Sequence, residues 1–216
     1  MVKLYPNYNG IYEDDISSAE IKFYEACTNL NDNFHVFHSV AWISRTNGHT
    51  LDGEADFLIC HPDKGFLIVE VKGGRIDANY VSGDWSSTDR NGRKHKIKDP
   101  FRQSLKGKFD ILEKIKDHRD WERMGRKRFS AGHAVFFPDV DDGRALKGPN
   151  APIQIIGDRS DLPNLYQVFN IYIYIYIYIL ISPPNIYPNA PPIPQFPPPK
   201  SCVIFDVGFF DFEKMT

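Results

Sequence analysis

With 216 residues, the chain has room for one domain of ordinary size, or for one domain carrying an appendage. Hydrophobic residues at 42% and charged ones at 25% are the proportions of a soluble globular protein and exclude a disordered or fibrous one. The net charge of -2 advertises no acidic partner for the chain as a whole.

The opening segment MVKLYPNYNGIYEDD lacks the basic start and apolar core of a signal peptide, and no apolar run reaches the ~20 residues that span a bilayer. Cys27, Cys60 and Cys202 are odd in number, far apart and at no metal spacing. These features predict a cytoplasmic protein with reduced thiols and no membrane partner. Ser17 and Ser18 precede AEIKFYEACTNL, whose apolar residues Ile21, Phe23, Tyr24, Cys27 and Leu30 recur at helical spacing. Ser17 and Glu20 also stand at the S-x-x-E spacing of a capping box.

FHVFHSVAWI (Phe34 to Ile43) reads as a strand, followed by two stronger ones, GEADFLIC (Gly53 to Cys60) and GFLIVEVKG (Gly65 to Gly73). The short link HPDKG between those two predicts an antiparallel hairpin. Turn signals at Ser82-Gly83 and Asn91-Gly92 divide the next stretch into short outer strands. Pro100 opens a helix with Phe101, Leu105, Phe109, Leu112 and Ile115 along one side. AGHAVFF (Ala131 to Phe137) is a further strand, and Ile153 to Ile156 a candidate last one.

Charge is unevenly distributed. Arg90 to Lys108 holds Arg90, Arg93, Lys94, Lys96, Lys98, Arg102, Lys106 and Lys108 against the single acid Asp99, a local charge of +7. Such segregation suits a strip that faces phosphates, and equally an ordinary solvated charged face.

Beyond about Leu165 the character changes. No charged residue lies between Asp161 and Lys200, and ten of the intervening positions are Pro. The run IYIYIYIYIL (Ile171 to Leu180) is what an in-frame AT dinucleotide repeat encodes, because ATA reads as Ile and TAT as Tyr. The expected organisation is therefore an extension over 1–16, a domain over 17–165, and a low-complexity Ile-Tyr and Pro-rich tail over 166–216 that is not native domain sequence. A real β-rich appendage with a Pro-rich linker is the alternative.

The central hairpin carries the chemistry. Residues two apart on a strand share a face, so Glu70 and Lys72 point one way, and Glu54 and Asp56 share a face with Ala55 and Phe57 opposite. Charged groups among so many apolar neighbours are costly unless paired, and two carboxylates at one point repel unless a proton or cation intervenes. Hard oxygen ligands favour Mg²⁺ or Mn²⁺, and a nearby lysine can hold a water or balance charge on a phosphate. A buried Glu70–Lys72 or Asp56–Lys72 ion pair without chemistry is the competing reading.

Asp56 followed by Glu70-Val71-Lys72 resembles the core of the PD-(D/E)XK nuclease superfamily. With Ala19-Glu20, GEADFLIC, FLIVEVKGG, Trp85 and DPFRQS in that order, residues 17 to 165 resemble the nuclease-related domain, NERD. The resemblance implies an α/β, restriction-endonuclease-like fold: a mixed β-sheet flanked by helices, with an αβββαβ core. It implies a catalytic set of Glu20, Asp56, Glu70, Lys72 and Gln103, with metal held by Asp56, Glu70 and the Val71 carbonyl. Glu20 could instead only complete its capping box, Gln103 could be an exposed helix residue, and Glu54 could add an acid or merely flank the site. Arg93, Lys94, Lys96, Lys98, Arg102 and Lys106 would hold the DNA backbone.

The function so implied is a Mg²⁺- or Mn²⁺-dependent deoxyribonuclease acting in DNA processing, repair or defence. The alternative is a DNA-binding module that does not cut. Relatives of this kind are often fused to helicase or kinase domains, and the absence of such a domain here fits truncation of a longer protein. No G-x-x-x-x-G-K-[ST] loop occurs, so nucleotide hydrolysis is not expected.

Overall fold

A computed structural model describes residues 1–7, 16–46, 49–121, 130–170 and 172. Its main sheet has six strands in the order β1-β2-β3-β4-β8-β9. These are β1 (Lys3–Tyr5), β2 (His35–Thr46), β3 (His49–His61), β4 (Gly65–Val71), β8 (Ser130–Phe137) and β9 (Ile156–Asp158). The β2-β3-β4 run is antiparallel, whereas β1 pairs with β2, β8 with β4, and β9 with β8 in parallel. A separate three-stranded antiparallel sheet, β5 (Arg75–Asn79), β6 (Asp84–Thr88) and β7 (Lys94–Ile97), is inserted between β4 and the second helix.

Helix α1 (Ser18–Cys27) covers one face of the main sheet and α2 (Pro100–Asp117) the other. Both start as their sequences dictate. Ser17 caps α1 by accepting the Glu20 amide, and Asp99 caps α2 by accepting those of Phe101 and Arg102, with Pro100 filling the first turn. Two apolar clusters result. Phe23, Tyr24, Phe57, Ile59, Leu67, Val69 and Val71 pack beneath α1. Trp42, Ala55, Leu58, Cys60, Phe66, Ile68, Ile111 and Ile115 pack beneath α2. The result is a mixed α/β architecture with a flanked mixed sheet, consistent with a restriction-endonuclease-like fold, and the order α1-β2-β3-β4-α2-β8 reproduces the expected αβββαβ core.

Four details depart from the sequence reading. Residues 1–16 are not wholly an extension, since β1 adds an edge strand, Val2 is buried and Tyr24 donates to the Pro6 carbonyl at 2.6 Å. Ile153–Ile155 is a 3-10 turn, and the last strand starts at Ile156. The packed core continues past the boundary expected at Leu165: residues 165–170 are helical, and Leu165, Phe169 and Tyr172 are buried. Phe169 meets Phe23 and Phe136 at ring-centroid distances of 6.3 Å. Residues 173–216, with most of the Ile-Tyr run and Cys202, lie outside the described residues.

The fourth departure concerns side-chain direction. Ala55 and Phe57 do not share a face: Ala55 belongs to the α2 cluster and Phe57 to the α1 cluster. The same switch occurs on β2, where Val36 faces α1 but Val40 and Trp42 face α2. The cause sits between them. Ser39 has φ 52, in the left-handed region, and the β2–β3 register runs through His38↔Phe57 and Val40↔Ala55 with no pair joining Ser39 to Asp56. One left-handed residue rotates the chain that follows and shifts the two-residue alternation.

The hairpin turn admits a controlled test. Gly65 has φ 95, and a Cβ there would lie 2.0 Å from the Ser130 carbonyl oxygen of the neighbouring strand, whereas Gly83, at φ 74, faces open space. Gly83→Ala is expected to cost about 1 kcal/mol, the left-handed penalty alone. Gly65→Ala adds a backbone collision and should cost at least about 3 kcal/mol in urea unfolding. Equal losses would show that β4 and β8 separate more readily than their pairing implies.

Candidate active site

The β3–β4 ladder ends at Phe57↔Val69. Past that point the Val71 amide donates not to backbone but to Asp56 Oδ2, at 2.7 Å. The carboxylate thus stands where a ladder bond would have been, at the mouth of two strands that part from each other. Glu70 and Lys72 emerge beside it: Lys72 Nζ donates to Glu70 Oε1 at 2.6 Å and lies 3.5 Å from Asp56 Oδ2. Glu70 is almost wholly buried, with a side chain 3% exposed.

The three charges do not balance. Burial raises the titration points of Asp56 and Glu70, and the lysine only partly counters it. For Glu70, burial and the neighbouring Asp56 push the carboxyl up to about 7. Lys72 is driven the other way by the same pair: burial disfavours its charge, but two carboxylates outweigh burial and raise it. The opposite demands have one physical source, since one ammonium faces two acids and can neutralise only one.

Glu20 reaches this group from the start of α1. Ser17 Oγ donates to its Oε1 at 2.6 Å, and His38 Nε2 lies 2.9 Å from its Oε2. Burial favours its neutral form, but the hydrogen bonds from His38 and Ser17 and the charges of His38 and Lys72 prevail, holding it below the ordinary carboxylate range. Its negative charge in turn raises Asp56 and Glu70. Glu20 does not complete a capping box, because its side chain accepts from the Ser17 hydroxyl and not from the Ser17 amide. His38, by contrast, carried no usable signal in the sequence, because its link to Glu20 spans 18 positions.

The remaining expected residues fall less centrally. Gln103 lies in the first turn of α2; its side chain makes no hydrogen bond to Asp56, Glu70 or Lys72, and Oε1 is buried without a hydrogen-bond partner among the described residues. Glu54 is exposed on β3, opposite Ala41. His133 is half-buried on β8, its titration point lowered to about 4 by burial and then by Lys108.

The basic strip is less positive in space than in sequence. On the small sheet Lys94 pairs with Asp77 at 3.1 Å and Lys96 with Asp84 at 2.6 Å. On α2 Arg102 lies 3.4 Å from Asp99, and Lys106 lies 2.6 Å from Asp110. Arg93 and Lys98 carry no ion pair among the described residues.

Asp56 Oδ1 and Glu70 Oε2 have no hydrogen-bond partner among the described residues. Two hard oxygen atoms beside an excess of negative charge fit a divalent cation such as Mg²⁺ or Mn²⁺. No cluster of three His, Cys, Asp or Glu able to hold a metal occurs among the described residues.

Residues 17–137 match the family model of the nuclease-related domain, NERD. The chain belongs to that family. No curated protein and no solved structure matches it. The NERD match runs from the capping serine of α1 to the last residue of β8, so it contains Glu20, Asp56, Glu70, Lys72 and Gln103 together. No helix among the described residues is long and apolar enough to cross a membrane.

The imbalance makes the NERD site a cost to folding. An unfolded Glu70 titrates near 4.5 and the folded one near 7. The unfolded chain therefore loses this proton first, and the stability the protonated carboxyl provides is complete below about 4.5 and lost as pH rises through 7. In EDTA at pH 8, Glu70→Gln should be more stable than the parent by about 2 kcal/mol in urea unfolding, a gain that shrinks as pH is lowered toward 4.5. A loss of stability at pH 8 would show that Lys72 alone satisfies both acids.

Proposed function

We propose that this NERD chain is a metal-dependent DNA phosphodiesterase acting in DNA processing, repair or defence. The observation that carries the reading is the charge imbalance at the parting strands: two carboxylates, one ammonium, and one unpartnered oxygen on each acid. A purely structural ion pair has no use for a second buried acid, and unpaired buried charge is costly.

Asp56 and Glu70, with the Val71 carbonyl, are the groups that would hold Mg²⁺ or Mn²⁺, and such a cation supplies Lewis-acid charge to a phosphoryl oxygen. Lys72 performs the complementary task. Its Nζ already donates to Glu70 and can donate to an attacking water or to charge accumulating on the phosphate. Val71 N–H fixes Asp56 Oδ2, so that carboxylate needs little reorganisation during the reaction. Of the six expected backbone contacts, Arg93 and Lys98 are those without an acidic partner among the described residues, and they are best placed electrostatically to hold the DNA backbone.

Cleavage of plasmid and single-stranded DNA by the full chain in Mg²⁺ or Mn²⁺ tests the reading, with EDTA as the control. Lys72→Met and Asp56→Asn should each lower kcat at least about a hundredfold while the chain stays folded. DNA binding without metal-dependent cutting in the parent would instead identify a binding module.

The electrostatic assignment has its own test. Arg93→Ala with Lys98→Ala should lower the slope of log affinity against log salt by roughly 2, about one phosphate contact per residue. Lys94→Ala with Lys96→Ala should change it less, because those charges already face Asp77 and Asp84. Equal changes would mean that DNA displaces the acids.

A further inference from the structure

His38 belongs to neither the metal-holding pair nor the strip, yet it is the most constrained histidine near the site. Its side chain is 2% exposed. Its ring lies 4.9 Å from that of Phe57 and 6.4 Å, edge to face, from that of Tyr24. Nε2 faces Glu20 Oε2 at 2.9 Å, while Nδ1 lies 3.2 Å from Ser39 Oγ. Ser17 occupies the other Glu20 oxygen at 2.6 Å, so this carboxylate is gripped from both sides by groups of the chain.

The backbone next to His38 is strained. Ser39 holds φ 52, at the one place where the β2–β3 register lacks a pair, across from Asp56. By two-residue alternation His38 shares the face of Val36, toward α1 and Glu20, and the turn at Ser39 then sends Val40 to the α2 side. A left-handed serine inside a strand costs stability and persists where the surroundings fix it, characteristically at functional sites. Here the strained residue adjoins an imidazole that meets one carboxylate, and that carboxylate's charge is felt at Asp56, Glu70 and Lys72.

We propose that His38 is a positioning residue of the NERD site: with Ser17 it locks the Glu20 carboxylate in place, making Glu20 a fixed negative charge beside Asp56 and Lys72. The proposal rests on the nuclease reading above. Because chain donors occupy both Glu20 oxygens, Glu20 acts through its field and orientation, and His38 acts only through Glu20.

A double-mutant cycle on the full chain tests this, with two readouts: DNA cleavage, and Mn²⁺ affinity measured by electron paramagnetic resonance without DNA. His38→Met, which keeps the volume but cannot donate, should lower kcat ten- to a hundredfold with KM for DNA unchanged. Adding it to Glu20→Gln should cause no further loss, and Mn²⁺ affinity should show the same non-additive pattern. His38→Gln, whose amide can still donate to Glu20, should restore most of the rate. If His38→Met does not fold, His38→Asn, too short to reach Glu20, takes its place in the cycle. Additive losses, or a His38→Gln variant as impaired as His38→Met, would overturn the proposal and leave His38 a packing residue. A parent that binds Mn²⁺ and cuts, with variants that match it, removes His38 alone. A parent that neither binds Mn²⁺ nor cuts removes the nuclease reading and this proposal together.

Discussion

The bond between the Val71 amide and Asp56 Oδ2 is where fold and site become one structure. A buried N–H must be satisfied, and at the end of β4 the ladder to β3 has already stopped. Satisfying it with a carboxylate in place of a carbonyl has two effects. The two strands stop pairing beyond Phe57 and Val69, and the acid cannot leave without orphaning the amide. Asp56 is consequently held by the same force that holds the sheet. The positions of Glu70 and Lys72 then follow from alternation alone, since β4 remains regular up to Val71.

What could be read from the sequence follows how local each determinant is. The hairpin from Gly53 to Gly73 announced itself through HPDKG and two apolar runs, and α2 through Asp99-Pro100, because those signals lie within a few residues of their effects. The face of Ala55 was misread for a physical reason. Period-two alternation presumes an unbroken strand, and nothing in the triplet His38-Ser39-Val40 declares a left-handed serine. The edge strand β1 and the helical residues after Leu165 were missed because their partners, β2 and the aromatic cluster around Phe23, are distant in sequence. The Pro-rich, charge-free composition beyond Leu165 also drew attention from the few apolar residues there that complete the core.

Charge shows the same limit. A net count from Arg90 to Lys108 gives a strong positive segment, but a strand's charges belong to its sheet. Asp77 and Asp84 come from β5 and the start of β6, and they meet Lys94 and Lys96 across the small sheet. These exposed pairs contribute little to stability, yet they subtract from the field that a phosphate would feel. Among the six expected backbone contacts, the cations left without an acidic partner among the described residues are Arg93, at the β6–β7 turn, and Lys98, at the entry to α2.

Placement of that small sheet gives the remaining charges their meaning. It is spliced in directly after Lys72, and Ser87 Oγ donates to the Gly73 carbonyl at 2.6 Å, while Gly74 adopts φ 81 against the Thr88 backbone. Asp139 secures Gly74 from the other side, accepting its amide at 2.8 Å and pairing with Lys22 of α1. The small sheet and Lys72 are therefore linked through two glycines whose backbone is held from both sides. On the proposed reading, that short and braced link would join a backbone-binding surface to a reacting centre, and the register of a phosphate chain on Arg93 and Lys98 would set which phosphate meets Lys72.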